Sequence, residues 1–182
     1  MKLLIVLAAF LALWPVVNSP AYVLKDYKWQ ALPVTYVTGP GMEAETATAI
    51  SRWSAVSGFR AVPGVDGQGW EGAQIEVRLA YPDDHEYGGV ALIWASEGAF
   101  THCRINVNPD RWVVDYPGDR MTILLHEMGH CLGLAHSDVA GSIMSTANGS
   151  TLTVDDVAAA RALYGPSLYR MVTPGLNKEG FQ

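Results

Sequence analysis

Three histidines and a glutamate fall within one short stretch, His126-Glu127-Met128-Gly129-His130-Cys131-Leu132-Gly133-Leu134-Ala135-His136. On a helix, His126 and His130 are four residues apart and share a face, so both imidazoles reach one ion. Glu127 points roughly 100° round the axis from His126. That suits a base beside a metal better than a further ligand. Gly133 can end the helix in a left-handed conformation and turn the chain back, which would bring His136 up as the third ligand. Three nitrogens leave a position open for water and substrate, the pattern of a catalytic zinc rather than a structural one. With one Zn²⁺ held there and Glu127 as general base for its water, the chemistry would be hydrolysis. The histidine pair alone also arises in ordinary helices as two hydrogen-bonded imidazoles and a surface glutamate. The glycine and third histidine at fixed offsets set this segment apart. So does the cost of burying unliganded imidazoles in the otherwise apolar run TILLHEMGHCLGLAH.

The elements that must position these groups can be read from periodicity. Leu32 to Thr38 is rich in β-branched and aromatic residues and reads as a strand, broken by Gly39-Pro40-Gly41. Glu43 to Ser57 is a helix with Ala47, Ile50, Trp53 and Ala55/Val56 at helical spacing and two glutamates in its first turns. Phe59 to Val62 is a short strand, followed by a glycine-rich loop from Pro63 to Gly72. Gln74 to Leu79 alternates with Ile75, Val77 and Leu79 on one face. Val90 to Ala95 and Cys103 to Val107 are two further strands, separated by the turn-like Glu97-Gly98. Asp119 can cap the helix that runs through His130, with Ile123, Leu124 and Met128 available for a core. Leu152 to Leu163 is a last helix, with Thr153 and Asp156 as a capping box and Val154, Val157, Ala158, Arg161 and Ala162 continuing it. Residues 169–182 have no period and read as a tail. This order predicts an α+β domain over residues 22–168: a mixed twisted sheet with a backing helix, an active-site helix and a C-terminal helix.

The first 21 residues read as a signal peptide. Lys2 gives a positive start, Leu3 to Val17 is apolar, and Ser19-Pro20-Ala21 supplies small residues for cleavage. The apolar run is short for a membrane span and is interrupted by Pro15, so no stable membrane insertion is expected. The predicted compartment is extracellular, or periplasmic in a diderm bacterium. The formal charge of −6 becomes one unit more negative without Lys2, and no Lys/Arg cluster exists. That argues against nucleic acid as a partner. In an oxidising compartment the only two cysteines, Cys103 and Cys131, either bridge strand to helix or stay as two buried thiols.

The run from His126 to Ser137, with Gly141-Ser142-Ile143-Met144 after it and Ala162-Leu163-Tyr164-Gly165 at the close, resembles the metzincin zinc peptidases. Within them it resembles the matrixins, the matrix metalloproteinase-type catalytic domains of peptidase family M10. The resemblance extends more weakly upstream to Trp29. It implies a zincin-like fold, Met144 in a turn beneath the metal, and endopeptidase cleavage of extended peptide or protein substrates by a monomeric domain. Gly88 to Ala95 would be the strand edge that receives the peptide.

The chain departs from that pattern at several points. Tyr22 to Lys28 has no cysteine, so latency through a propeptide cysteine is not expected. Ser145-Thr146 stand where relatives carry tyrosine and proline, so side-chain preference does not carry over. Of the histidines that could serve a second, structural zinc only His85 and His102 are present, and a second zinc is not expected. Asp83, Asp84 and Glu86 offer oxygens to Ca²⁺ or form a solvated acidic loop. Two other readings of the whole are a secreted, catalytically silent zinc-fold binding module and a zinc hydrolase of a non-peptide amide. The intact Glu127 and the strand edge, respectively, speak against them.

Overall fold

Five short stretches of alternating or apolar residues become strands that pair into one sheet among the described residues. A computed structural model describes residues 21–64, 73–83, 87–113, 117–146 and 149–166. Residues 1–20, which hold nearly all of the signal peptide expected over 1–21, most of the glycine-rich loop and residues 167–182, including the expected tail at 169–182, lie outside the described residues. The elements are β1 (Val34–Thr38), α1 (Glu43–Val56), β2 (Ala61–Pro63), β3 (Ile75–Leu79), β4 (Gly89–Ser96), β5 (Ala99–Val107), α2 (Pro109–Val113), α3 (Pro117–Leu132) and α4 (Val154–Tyr164). Among the described residues the strands form one mixed sheet in the order β2-β1-β3-β5-β4. All neighbours run parallel except β4, which is antiparallel to β5 and lies at the sheet edge. The β4–β5 hairpin closes through Glu97 and Gly98, both at positive φ, the geometry that matches strand twist in a two-residue turn.

The register places Ile75 opposite Cys103 and Val77 opposite Ile105. These four side chains are fully buried against Trp53, Leu124, Leu125 and Met128 in one apolar core. Trp53 also donates its indole N–H to the Leu125 carbonyl at 3.0 Å, which ties α1 to α3. The other face of β3 and β5 is charged. Glu76, 2 % exposed, receives Arg104 at 2.6 Å and faces His102 at 3.6 Å. Arg104 in turn lies over the Trp94 ring.

Several expectations shift in detail. In α1 the buried stripe is Thr46, Ala49, Ile50 and Trp53, while Ala47 and Ala55 face out. The bulk of Trp53 and Ile50 sets the rotation, and the small alanines follow. Leu79 is exposed at the end of its strand. Phe59 is a core residue before β2 rather than part of it, packed on the Tyr164 ring. The short helix α2 was not anticipated. It begins at a proline, and the Asn108 side chain accepts from the Asp110 N–H. Helix α3 starts at Pro117, before Asp119, as proline tolerates a first helical turn. Helix α4 is rotated from its expected face: Val154 is 88 % exposed, and Asp156, Ala159 and Ala160 point inward.

Candidate metal centre

Helix α3 carries His126 and His130 on one face, and the chain then turns at Gly133, whose φ is +107°. A β-carbon there would crowd the Tyr27 carbonyl, so the turn needs glycine twice over. The Leu134 N–H reaches back to the Gly129 carbonyl at 3.0 Å and the Gly133 N–H to that of His130. The returning chain delivers His136. The ligand atoms of His126, His130 and His136 all lie within 4.8 Å of one another, the one such cluster among the described residues. The Nε2 atoms of His130 and His136 are 3.2 Å apart. That is close to the edge of a tetrahedron around an ion held at roughly 2.0–2.1 Å.

Each helix histidine has its other nitrogen committed. His126 Nδ1 meets the Ile143 carbonyl at 2.7 Å and His130 Nδ1 meets the Leu134 carbonyl at 2.8 Å. A carbonyl accepts only from N–H, so both rings carry the proton on Nδ1 and aim the Nε2 lone pair at the shared point. Burial pushes the pKa of His126 down and that of His130 down to about 3. Both are therefore neutral near pH 7, as metal ligands must be. This donor set fits zinc.

Glu127 is 7 % exposed beside these ligands. Burial raises its pKa to about 7, opposed by the Ala91 N–H, which donates to it, and by the charge of Lys25. Gly89 makes room for it, because a β-carbon on Gly89 would crowd Ile123 and the Glu127 stem. The cleft, about 810 Å³, runs between β4 and α3 and is closed below by Ile143, Ser145, Thr146 and Gly149.

Met144 is buried, and its sulfur packs against Gly129 of α3, in the space a β-carbon there would need. The turn that carries it is held by a carboxylate that local spacing presents as a helix cap only. Asp156 does complete the capping box with Thr153. It also accepts from Ser142 Oγ at 2.6 Å and from the N–H groups of Ile143 at 3.0 Å and Met144 at 3.3 Å. Asp156 thus fixes the segment whose Ile143 carbonyl orients His126. Ser137 joins the same network, with its hydroxyl on Asp155 at 2.8 Å and its N–H on the Met144 carbonyl. Spacing could not reveal these links, because the capping box accounts for Asp156 locally.

The sulfurs of Cys103 and Cys131 are joined, with Cα atoms 5.7 Å apart, so β5 is stapled to α3 one residue after His130. His102 turns away from the centre, toward Glu76 and the Ala73 carbonyl. Of the acidic group proposed for calcium, Asp83 is exposed. Asp84 and Glu86, like His85, lie outside the described residues.

The matrixin family profile matches residues 25–165. Human matrix metalloproteinase-20 is 35 % identical over 48 % of the chain and 20 % of its own length. Metalloendoproteinase 1-MMP of Arabidopsis thaliana is 29 % identical over 72 % of the chain and 40 % of its own length. The interstitial collagenase of Oryctolagus cuniculus is 36 % identical over 32 % of the chain and 14 % of its own length. The chain spans well under half the length of each of these relatives.

Proposed function

Because the chain belongs to the matrixin family of peptidases, we propose that it is a zinc-dependent endopeptidase that hydrolyses internal bonds of extended peptide or protein substrates. The observation that carries this reading is the convergence of three imidazole nitrogens beside a buried glutamate, on the wall of a cleft whose other wall is a sheet edge. His126, His130 and His136 would hold the zinc, which when bound polarises the scissile carbonyl and acidifies the attacking water. Glu127 takes the proton from that water and hands it to the leaving amine. A pKa near 7 suits a group that must accept and then release. The outer edge of β4 pairs with no strand among the described residues, so an extended peptide can add to it by main-chain hydrogen bonds. The leader at 1–21 and the joined cysteines support export to an extracellular or periplasmic space. Among the described residues no helix is long and apolar enough to cross a membrane.

The test is a peptide-library digest with the mature protein, with and without chelator, alongside Glu127→Gln. Internal cuts should vanish with chelator. Glu127→Gln should lose roughly 10²–10⁴-fold or more in turnover while keeping one zinc per chain. Near-normal turnover by the zinc-loaded variant would show that Glu127 is not the base.

A further inference from the structure

One cation faces the cleft. Among the described residues that line it, Lys25 is the one lysine or arginine. It belongs to a segment without helix or strand, yet its backbone is held firmly. The Lys25 N–H donates to the Gly133 carbonyl at 2.8 Å, the Ala135 N–H to the Val23 carbonyl at 2.9 Å, and Leu24 bridges Leu134. Further along, the Trp29 indole donates to the Cys131 carbonyl at 2.7 Å. The lysine is thus tied to the residues that deliver His136, at the end of the cleft where α3 terminates. Ile123, which lines the cleft from the middle of α3, is about 10 Å from His130 along the helix axis.

We propose that Lys25 is a substrate-selecting residue, whose ammonium receives the Asp or Glu side chain of an extended peptide at one fixed position relative to the cut. This rests on the endopeptidase reading above. Lys25 is half-buried, and no ion pair among the described residues engages its ammonium. Its one charged neighbour in the cleft is Glu127, whose carboxylate already accepts from the Ala91 N–H. A partly desolvated ammonium at a cleft wall favours a carboxylate far more than water-exposed lysines do, since screening there is weaker. The tether fixes where that carboxylate must lie, which turns attraction into positional selectivity. No other cationic side chain at the described cleft wall can compete for it.

The experiment compares kcat/KM for internally quenched peptides that differ by Asp→Asn or Glu→Gln at each position around the cut. All carry amidated C-termini, so that a side chain is the only carboxylate. The zinc-loaded mature protein should prefer the acid at one position by about tenfold, equivalent to about 1.4 kcal/mol, and the preference should shrink as salt rises. Lys25→Met keeps the aliphatic stem and should erase it, and Lys25→Glu should invert it in favour of Lys at the same position. Zinc content and melting temperature report whether each variant is folded. Should a variant fail to fold, the wild-type isostere series decides alone. Cleavage with no acidic preference, or a preference that needs a free peptide C-terminus, overturns the proposal. If no peptide is cut at all, the endopeptidase reading falls and this one with it.

Discussion

Two polar constellations adjoin in this molecule, and they are opposite in kind: the histidine set opens to the surface at His136, and the Asp156 set is buried. Around His126, His130 and His136, lone pairs converge on a point with their donors turned away. Around Asp156, one carboxylate is surrounded by donors: two hydroxyls and three backbone N–H groups. The first set is incomplete without a cation, and the second is complete in itself. Convergent acceptors with nothing to accept from mark a place where the protein expects a partner. A carboxylate saturated by its own chain marks scaffold. The two are coupled through one peptide group, because Ile143 gives its N–H to Asp156 and its carbonyl to His126.

That contrast can be broken from either side. His130→Ala should abolish metal binding and activity together, read by zinc analysis and peptide turnover. Asp156→Ala should act on the fold first. It strands three buried donors at roughly 1–3 kcal/mol each and removes the Asp156 half of the capping box with Thr153, so a loss of at least roughly 3–5 kcal/mol is expected in denaturant titration. Through the freed methionine turn it should also weaken zinc binding by roughly 10–100-fold, the range for a group that orients a ligand. Unchanged zinc affinity in a folded Asp156 variant would show the two constellations to be independent.

The covalent tie between sheet and active-site helix should matter next. Replacing Cys103 and Cys131 by serine opens a loop with a sequence separation of 28, which costs about 3–4 kcal/mol in the chain-entropy account. Chemical denaturation of the double variant, compared with the wild type, measures it.

Acid sharpens the comparison within the metal centre itself. His130 has its pKa lowered to about 3 by burial, from 6.5. Its contribution to stability is present above pH 6.5 and is lost as pH falls toward 3, because the unfolded chain takes a proton the folded chain refuses. Glu127 is raised from 4.5 to about 7. Its contribution is present below pH 4.5 and is lost as pH rises through 7. The two oppose one another between those limits. Metal-free Glu127→Gln should therefore lose melting temperature more steeply than the metal-free wild type between pH 6.5 and pH 5. Equal slopes would refute the assignment.

The smallest effect belongs at the seam. Ser137→Ala removes two hydrogen bonds, the one its hydroxyl donates to Asp155 and the one it accepts from the Val139 N–H, and should cost about 1–2 kcal/mol, with activity retained. A thermal melt and a turnover assay on the same sample settle it.

Much of this molecule was written in local pattern. The offsets of His126, Glu127, His130, Gly133 and His136 point to a metal centre because helical geometry pairs the first two histidines and a glycine turn returns the third. The positive-φ turn at Glu97-Gly98, the capping box at Thr153 and Asp156, and the strands through Ile75 and Ile105 follow from short-range rules as well. What no spacing could supply was decided by contacts between distant segments. Asp156 looks like a cap in sequence, but its carboxylate also meets a turn more than ten residues upstream. Meeting it rotates α4 until Val154 faces solvent. Satisfying three buried donors outweighs hiding one valine, since each of them left unpaired would cost about as much as that one burial gains. Lys25 gives no motif and lies over a hundred residues from His130, and only the pairing of its backbone with Gly133 brings it to the cleft. Local order is set by dihedral preference and periodicity, which act within a few residues. Which side chains line the site is set by the packing of the whole chain, where hydrogen-bond satisfaction and volume are shared across elements.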